Sequence, residues 1–290
     1  MTGLCRKEFR LKWGNKSLNL GKKTLIMGVL NVTPDSFSDG GHFFSRKKAV
    51  EQARAMEADG ADIIDIGGES TRPYSEKVSL DQELERVIPV IEELGKTVKI
   101  PVSIDTYKAK VAESAIKAGA SIINDISALR FDREMVTVAR ESGVPVILMH
   151  MKGTPGDMQN SPVYDNLMGE IKSFFREAIE KAEAEGIAKN MLVLDPGIGF
   201  GKSFDHNLQI IRDLRELYEL GLPLLLGSSR KAFIGNILDK SPEERDTGTM
   251  ATVAAGIMNG AHIVRVHNVK MAVETVKVMD AIIAGNTKLQ

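Results

Sequence analysis

Cysteine is all but absent from this chain of 290 residues: Cys5 stands alone, so no internal disulfide can form and a reducing compartment is expected. An excess of either charge is missing too. Lys and Arg number 38 against 39 Asp and Glu, a formal net charge of −1, which leaves no whole-chain electrostatic footprint for nucleic acid or an anionic membrane. No stretch approaches the roughly 18 consecutive apolar residues that mark a membrane span. The N-terminal MTGLCRKEFRLKWGNKS is charged throughout and lacks the apolar core of a signal peptide. No His or Cys cluster has zinc spacing, and Ser228 and Ser229 have no GxSxG context. The expected protein is soluble and cytoplasmic, without a nucleic-acid or membrane partner.

Apolar residues are plentiful, at 43%, and with 27% charged residues they suffice for a large buried core. At about 150 residues per domain the length suggests two domains, but α/β barrels of about 250 residues fold as one. Short apolar runs recur at 24–30, 61–66, 100–104, 121–123, 144–149, 191–194, 223–226 and 262–266. They are too short for helices and too uniformly apolar for a sheet with one wet face, which is how parallel strands read. Between them lie segments of helical spacing at 46–59, 80–94, 107–118, 133–141, 166–185, 208–220, 246–259 and 269–283. Several end at glycine, as at Gly60, Gly119, Gly143, Gly260 and Gly285, which suits a left-handed C-terminal residue. Eight such alternations predict an α/β fold, a single (β/α)8 TIM barrel over about 24–285 within one domain of residues 1–290. Residues 6–20 read as a short N-terminal extension, a hairpin or barrel-bottom plug. The alternative is an open, doubly wound sheet.

In such a barrel the chemistry sits where the strands end. Seven of the eight runs lead to an ionisable or amide side chain: Asn31, Asp105, Asn124-Asp125, His150 after Met149, Asp195, the Gly227-Ser228-Ser229-Arg230-Lys231 string, and Arg265 with His267. The second run leads into Gly67-Gly68-Glu69-Ser70-Thr71-Arg72-Pro73. So many polar groups on one rim would cost stability if unpaired, so a polar ligand is expected in the mouth. Singly, each has a plainer reading. Asp105 and Asp195 could be helix N-caps, Asn31 and Asn124 turn residues, and His150 a satisfied rim histidine. His262 falls on the opposite strand face from Arg265, and His206 reads as structural. DPGIGFGKS at 195–203 has Pro196 where a phosphate loop needs glycine, and Gly197, Gly199 and Gly201 miss the dinucleotide spacing. These glycines are expected to let a loop pass close to a flat ligand. The Gly227–Lys231 string, opening a helix, is placed for an anion or carbonyl.

NVTPDSFSDGG at 31–41, GADIIDIGGESTRP at 60–73, SIDT at 103–106 and IINDIS at 122–127 resemble the dihydropteroate synthase family of pterin-binding TIM barrels. So do LMHMKGTP at 148–155, DPGIGFGK at 195–202, SRKAFIG at 229–235 and RVHNV at 265–269. The resemblance implies condensation of 6-hydroxymethyl-7,8-dihydropterin pyrophosphate with p-aminobenzoate, with Mg2+ as cofactor, sulfonamides as competitors and a homodimer as the assembly. It implies Asp105, Lys231, Arg265 and Asp35 as the catalytic set. Asp195 would accept from the 2-amino/N3 edge, a match for a bidentate carboxylate, with Asn124 on the amino/N1 side. Asp105 would lie near N8, Lys231 near the 4-oxo and N5 side, and Met149, Phe200 and Gly227 around the ring. Arg265 would lie over the pterin and reach the phosphates, and Asn31, Thr71, Arg72 and His267 would bind pyrophosphate, with Asn31 also on the metal. Phe37, Arg72, Pro73, Phe200 and Lys231 would surround p-aminobenzoate, and Asp35 lies with Phe37 on a loop that resembles one closing over it.

Two residues depart from the family pattern. Ala232 replaces a serine that would help hold the benzoate carboxylate, shifting that role toward the helix N-terminus. Asn268 replaces aspartate in RVHD, and since both types cap helices the change reads as structural. Two other functions stay in view: a pterin-binding paralogue without synthase activity, and a methyltetrahydrofolate-type methyltransferase with a corrinoid partner. The first-loop string NVTPDSFSDGG argues against the methyltransferase, and the chain carries no corrinoid module.

Overall fold

Runs of Ile, Val and Leu bounded by glycine and polar residues form eight parallel strands, each buried on both faces. In this computed structural model, residues 6–33, 41–70, 77–154, 156, 158 and 162–285 are described. An antiparallel hairpin comes first, β1 (Phe9–Trp13) and β2 (Lys16–Leu20), with Trp13 opposite Lys16. The barrel strands are β3 (Leu25–Asn31), β4 (Ile63–Gly67), β5 (Val102–Asp105), β6 (Ile122–Asp125), β7 (Val146–Met149), β8 (Leu192–Asp195), β9 (Leu225–Leu226) and β10 (Ile263–Val266). They pair in the order β8-β7-β6-β5-β4-β3-β10-β9. A parallel bridge between Leu194 and Leu224 joins the two ends, so the sheet closes and the open doubly wound alternative falls away.

The helices are α1 (Gly41–Asp59), α2 (Leu80–Thr97), α3 (Ala109–Ala118), α4 (Met135–Ser142), α5 (Leu167–Ala184), α6 (Phe204–Asp213), α7 (Ala232–Leu238), α8 (Asp246–Met258) and α9 (Val269–Ala284). Three departures from the expected segments have a local cause. The segment at 208–220 is α6 followed by a tighter 3-10 stretch over 214–220. The third helix begins at Ala109, because Tyr107 and Lys108 turn toward Glu69. Last, α7 is separate from α8. Its seven residues, four of them exposed (Ala232, Asn236, Ile237 and Leu238), are too few to show a period.

The hairpin plugs the N-terminal end of the barrel, as expected. Leu11, Trp13 and Leu20 are buried in the main core, and Arg6 pairs with buried Asp280 at 2.6 Å. His262 is tied to that end: its Nδ1 accepts from the Leu224 N–H at 3.0 Å, and its Nε2 lies 3.0 Å from the Lys7 carbonyl oxygen. With one end sealed, the functional side chains gather at the other.

Candidate active site

One guanidinium organises the C-terminal mouth. Arg265, on β10, donates through Nε to Asp65 Oδ2 at 2.6 Å and through Nη2 to Asp105 Oδ2 at 2.7 Å. Asn124, on β6, donates through Nδ2 to the same Asp65 oxygen at 3.0 Å. Strand register explains the convergence: Asp65 neighbours Ser103, two residues before Asp105, and Asp105 neighbours Asn124. Period-two alternation then turns all of them to the interior.

Burial raises Asp105 from the ordinary carboxylate range to about 7; Arg265 opposes the shift, and the carboxylates of Asp65, Glu83 and Asp125 add to it. Burial alone would lower Arg265, but Asp65, Asp105 and Asp195 hold it above its usual value. Asp105 Oδ1 and Asp65 Oδ1 are buried without a hydrogen-bond partner. Such oxygens are costly unless something satisfies them.

Asp195, ending β8, is buried and raised by that burial, against the pull of the Gly197 N–H, Arg265, Lys231 and Lys202. Its Oδ1 accepts from the Gly197 N–H at 2.8 Å. Neither Asp105 nor Asp195 caps a helix; Lys108 and Ser203 hold those positions. Asn124 is a strand residue, and Asn31 ends β3. The loop glycines after Asp195 also make close approaches within the protein. Gly197 has φ +69°, and a Cβ there would stand 2.0 Å from the His150 carbonyl oxygen; one on Gly199, at φ +82°, would stand 3.1 Å from Lys231 Cδ. They admit the protein's own backbone and lysine stem, and Gly197 also lines the cleft.

Lys231 places Nζ 4.2 Å from the centroid of the Phe200 ring. The cleft lined by Asp105, Asn124, Met149, Asp195, Phe200, Gly227, Lys231 and Arg265 is thus one site. Ile126 and Ile198 also line it and went unnoticed in the sequence, where they look like any core residue. A larger cleft of about 780 Å³ lies outside the barrel mouth, along α5. Its charges are mixed, with Lys152 paired to Glu170 and Lys172 to Glu216 and Glu219, so it is a solvated groove.

On the rim, Ser229 Oγ lies 2.9 Å from His267 Nδ1 and accepts from the His267 N–H at 3.2 Å. Asn31 Oδ1 and Asp105 Oδ2 border the same space beside Gly67. Arg230, at φ +58°, forms a bidentate pair with Asp246 at 2.8 and 3.0 Å. α7, opening right after Lys231, is short. Asp35, Phe37, Thr71, Arg72 and Pro73 lie outside the described residues.

Sequence reasoning also missed two buried charged side chains. Asp65 is fully buried in the strand IIDIG, and a carboxylate inside so apolar a run was the available signal. Lys202 Nζ donates to the carbonyls of His150 (3.2 Å) and Phe200 (2.9 Å) and lies 2.9 Å from His150 Nδ1. Burial lowers Lys202 well below its usual value and takes His150 to about 2. His150 is therefore a satisfied neutral histidine. His206 sits in a capping box with Ser203 and is structural.

Residues 27–267 match the family model described as pterin binding enzyme. The dihydropteroate synthase of Synechocystis sp. is 50% identical over 270 residues, 93% of each chain. The chain belongs to the dihydropteroate synthase family. The synthase of Yersinia pestis, solved with a sulfonamide drug complex, is 45% identical, with a TM-score of 0.90 over 96% of this chain and 100% of that one. That of Xanthomonas albilineans in complex with 7,8-dihydropteroate is 40% identical, with a TM-score of 0.85 over 94% and 98%. As a dihydropteroate synthase the chain is an enzyme, a transferase. No helix among the described residues is long and apolar enough to cross a membrane.

Proposed function

We propose that the chain joins 6-hydroxymethyl-7,8-dihydropterin pyrophosphate to p-aminobenzoate in the barrel mouth, releasing pyrophosphate, and that it works as a single-domain subunit of a cytoplasmic homodimer. One observation carries this assignment of the site: the floor presents acceptors where a dihydropterin presents donors. Asp195 keeps Oδ2 beside Gly227, away from the Oδ1 held by Gly197. Asp105 Oδ1 is buried and unpartnered. The pterin's 2-amino, N3 and N8 hydrogens satisfy Asp195, Asn124 and Asp105, while Lys231 donates to the 4-oxo and N5 side. Met149, Phe200 and Gly227 supply the ring's surroundings.

Pyrophosphate is held by Asn31, Thr71, Arg72, Arg265 and His267, and p-aminobenzoate by Phe37, Arg72, Pro73, Phe200 and Lys231, with Asp35 completing the catalytic set. The donor chemistry fits Mg2+ carried largely by the substrate. Among the described residues no three His, Cys, Asp or Glu side chains converge as a metal cage, and Asn31 offers one amide oxygen. Mg2+ characteristically takes few protein ligands beside phosphates and water. Bound there through Asn31, it supplies charge neutralisation for the leaving pyrophosphate.

Arg265 keeps its charge because three aspartates surround it, so it meets the anionic leaving group as a full cation. The bond from the pterin methylene carbon to oxygen breaks first, its electron pair departing with pyrophosphate. Positive charge then spreads over the pterin nitrogens, and Asp105 beside N8 stabilises it. The amine of p-aminobenzoate, a weak nucleophile, attacks the carbon and loses a proton. The test is incubation with both substrates and Mg2+. Dihydropteroate and pyrophosphate are expected in equal amounts; bound pterin pyrophosphate with no product would overturn the reading.

A further inference from the structure

The structure assigns to Asp65 the part of a positioning residue that makes the site selective for the 2-amino edge of the pterin, acting through Asn124. The inference rests on the pterin assignment above. Asp65 lies in the middle of β4, has no exposure, and is too deep to be a strand-end contact. Its Oδ2 accepts from Arg265 Nε at 2.6 Å and from Asn124 Nδ2 at 3.0 Å. A guanidinium has only donors, so the oxygen facing it is an acceptor, and the Asn124 atom facing that oxygen must be the amide nitrogen. The amide is planar. With one Nδ2 hydrogen held by Asp65 the amide cannot flip, so the edge turned to the 2-amino group carries its carbonyl oxygen.

That oxygen suits an amino group and opposes an oxo group. Without Asp65 the amide could rotate by 180° and greet either. Asp65 therefore sets a donor–acceptor code one residue removed from the ligand, and it uses the charge of Arg265 to hold itself in register. Sites built on such buried hydrogen bonds reject the mismatched analogue strongly, because the protein group is left unpaired.

The test compares the full-length wild type with Asp65→Leu and Asp65→Asn. Calorimetry measures the affinities for 6-hydroxymethylpterin and its 2-oxo counterpart, 6-hydroxymethyllumazine, and thermal melts report on folding. The wild type is expected to favour the pterin by at least about tenfold. Asp65→Leu removes the acceptor, and that preference is expected to fall to within about threefold of unity. Asp65→Asn keeps an oxygen that accepts from both partners, so it is expected to retain the preference even though the charge is gone.

Should Asp65→Leu fail to fold, the side-chain amide resonances of Asn124 in the wild type, assigned by their loss in Asn124→Ala, carry the test. They are expected to exchange slowly with solvent and to move little on pterin binding, since the NH2 group faces Asp65. Unchanged preference in folded Asp65→Leu would overturn the role of Asp65, as would fast-exchanging Asn124 amide protons. A wild type that binds neither compound would instead overturn the pterin assignment.

Discussion

Asn268 and Asp246 are partners: the Asn268 amide donates to Asp246 Oδ2 at 2.8 Å while its carbonyl oxygen accepts from the Met271 N–H at 3.2 Å and caps α9. Asp246 also holds Arg230, whose hydrogen bonds are the main reason its carboxyl lies below the usual range. The loops that follow β9 and β10 are thereby tied together next to Lys231 and His267. An aspartate would cap α9 equally well, but it would set a second carboxylate against Asp246.

Asn268→Asp is therefore expected to destabilise the protein by about 0.5–2 kcal/mol at neutral pH, the loss of one hydrogen bond plus like-charge contact. Asp246→Asn in the same chain should recover the part that comes from carboxylate repulsion. Urea unfolding of both variants checks this; an Asn268→Asp protein as stable as the wild type removes Asp246 from the account.

The pterin edge makes its own demand. In Asp195→Asn the amide oxygen remains bound to the Gly197 N–H, so its NH2 group turns toward the ligand and opposes pterin donors. Pterin affinity is expected to drop at least about tenfold with the melting temperature little changed, since a charged partner in a dry pocket is worth about 2–5 kcal/mol. Calorimetric titration decides it, and unchanged affinity in a folded variant reduces Asp195 to a loop anchor.

Asp105 gives the protein a pH signature. Its pKa is raised to about 7 by burial, so between pH 4 and 7 the folded state binds a proton that the unfolded state has released. Stability falls as pH rises through that window and is flat above it. The stability of Asp105→Asn relative to the wild type should accordingly grow from about pH 4 to about pH 7, then level off. Pterin affinity of the wild type is expected to rise over the upper part of the same window, as the N8 acceptor ionises, and the variant should lack that rise. Unfolding curves and titrations at each pH measure both.

If bond cleavage precedes attack, pyrophosphate should leave the pterin substrate slowly without p-aminobenzoate, in a Mg2+-dependent manner. Asp105→Asn is expected to depress that release more than it weakens pterin binding, because the positive charge develops only in the transition state. Release no faster than the uncatalysed background argues for direct displacement. Equal losses in binding and release make Asp105 a binding residue alone.

By itself the sequence determined the architecture, the polar rim and the family. Strand-length apolar runs alternate with helical stripes, and both periods are local properties that survive without coordinates. Asn31, Asp105, Asn124 and Asp195 stand out in the same way, as polar residues ending apolar runs. Only the tertiary structure decided who pairs with whom. Asp65 and Arg265 are 200 positions apart, and Asp65 and Asn124 are 59 apart. They meet because β3 to β6 and β10 pair in a fixed register around a sheet closed between Leu194 and Leu224. The same holds for Asn268, which reads in the chain as a helix cap and nothing more. Its second bond depends on how the loop before α8 lies against the end of β10, and no local spacing encodes that distance.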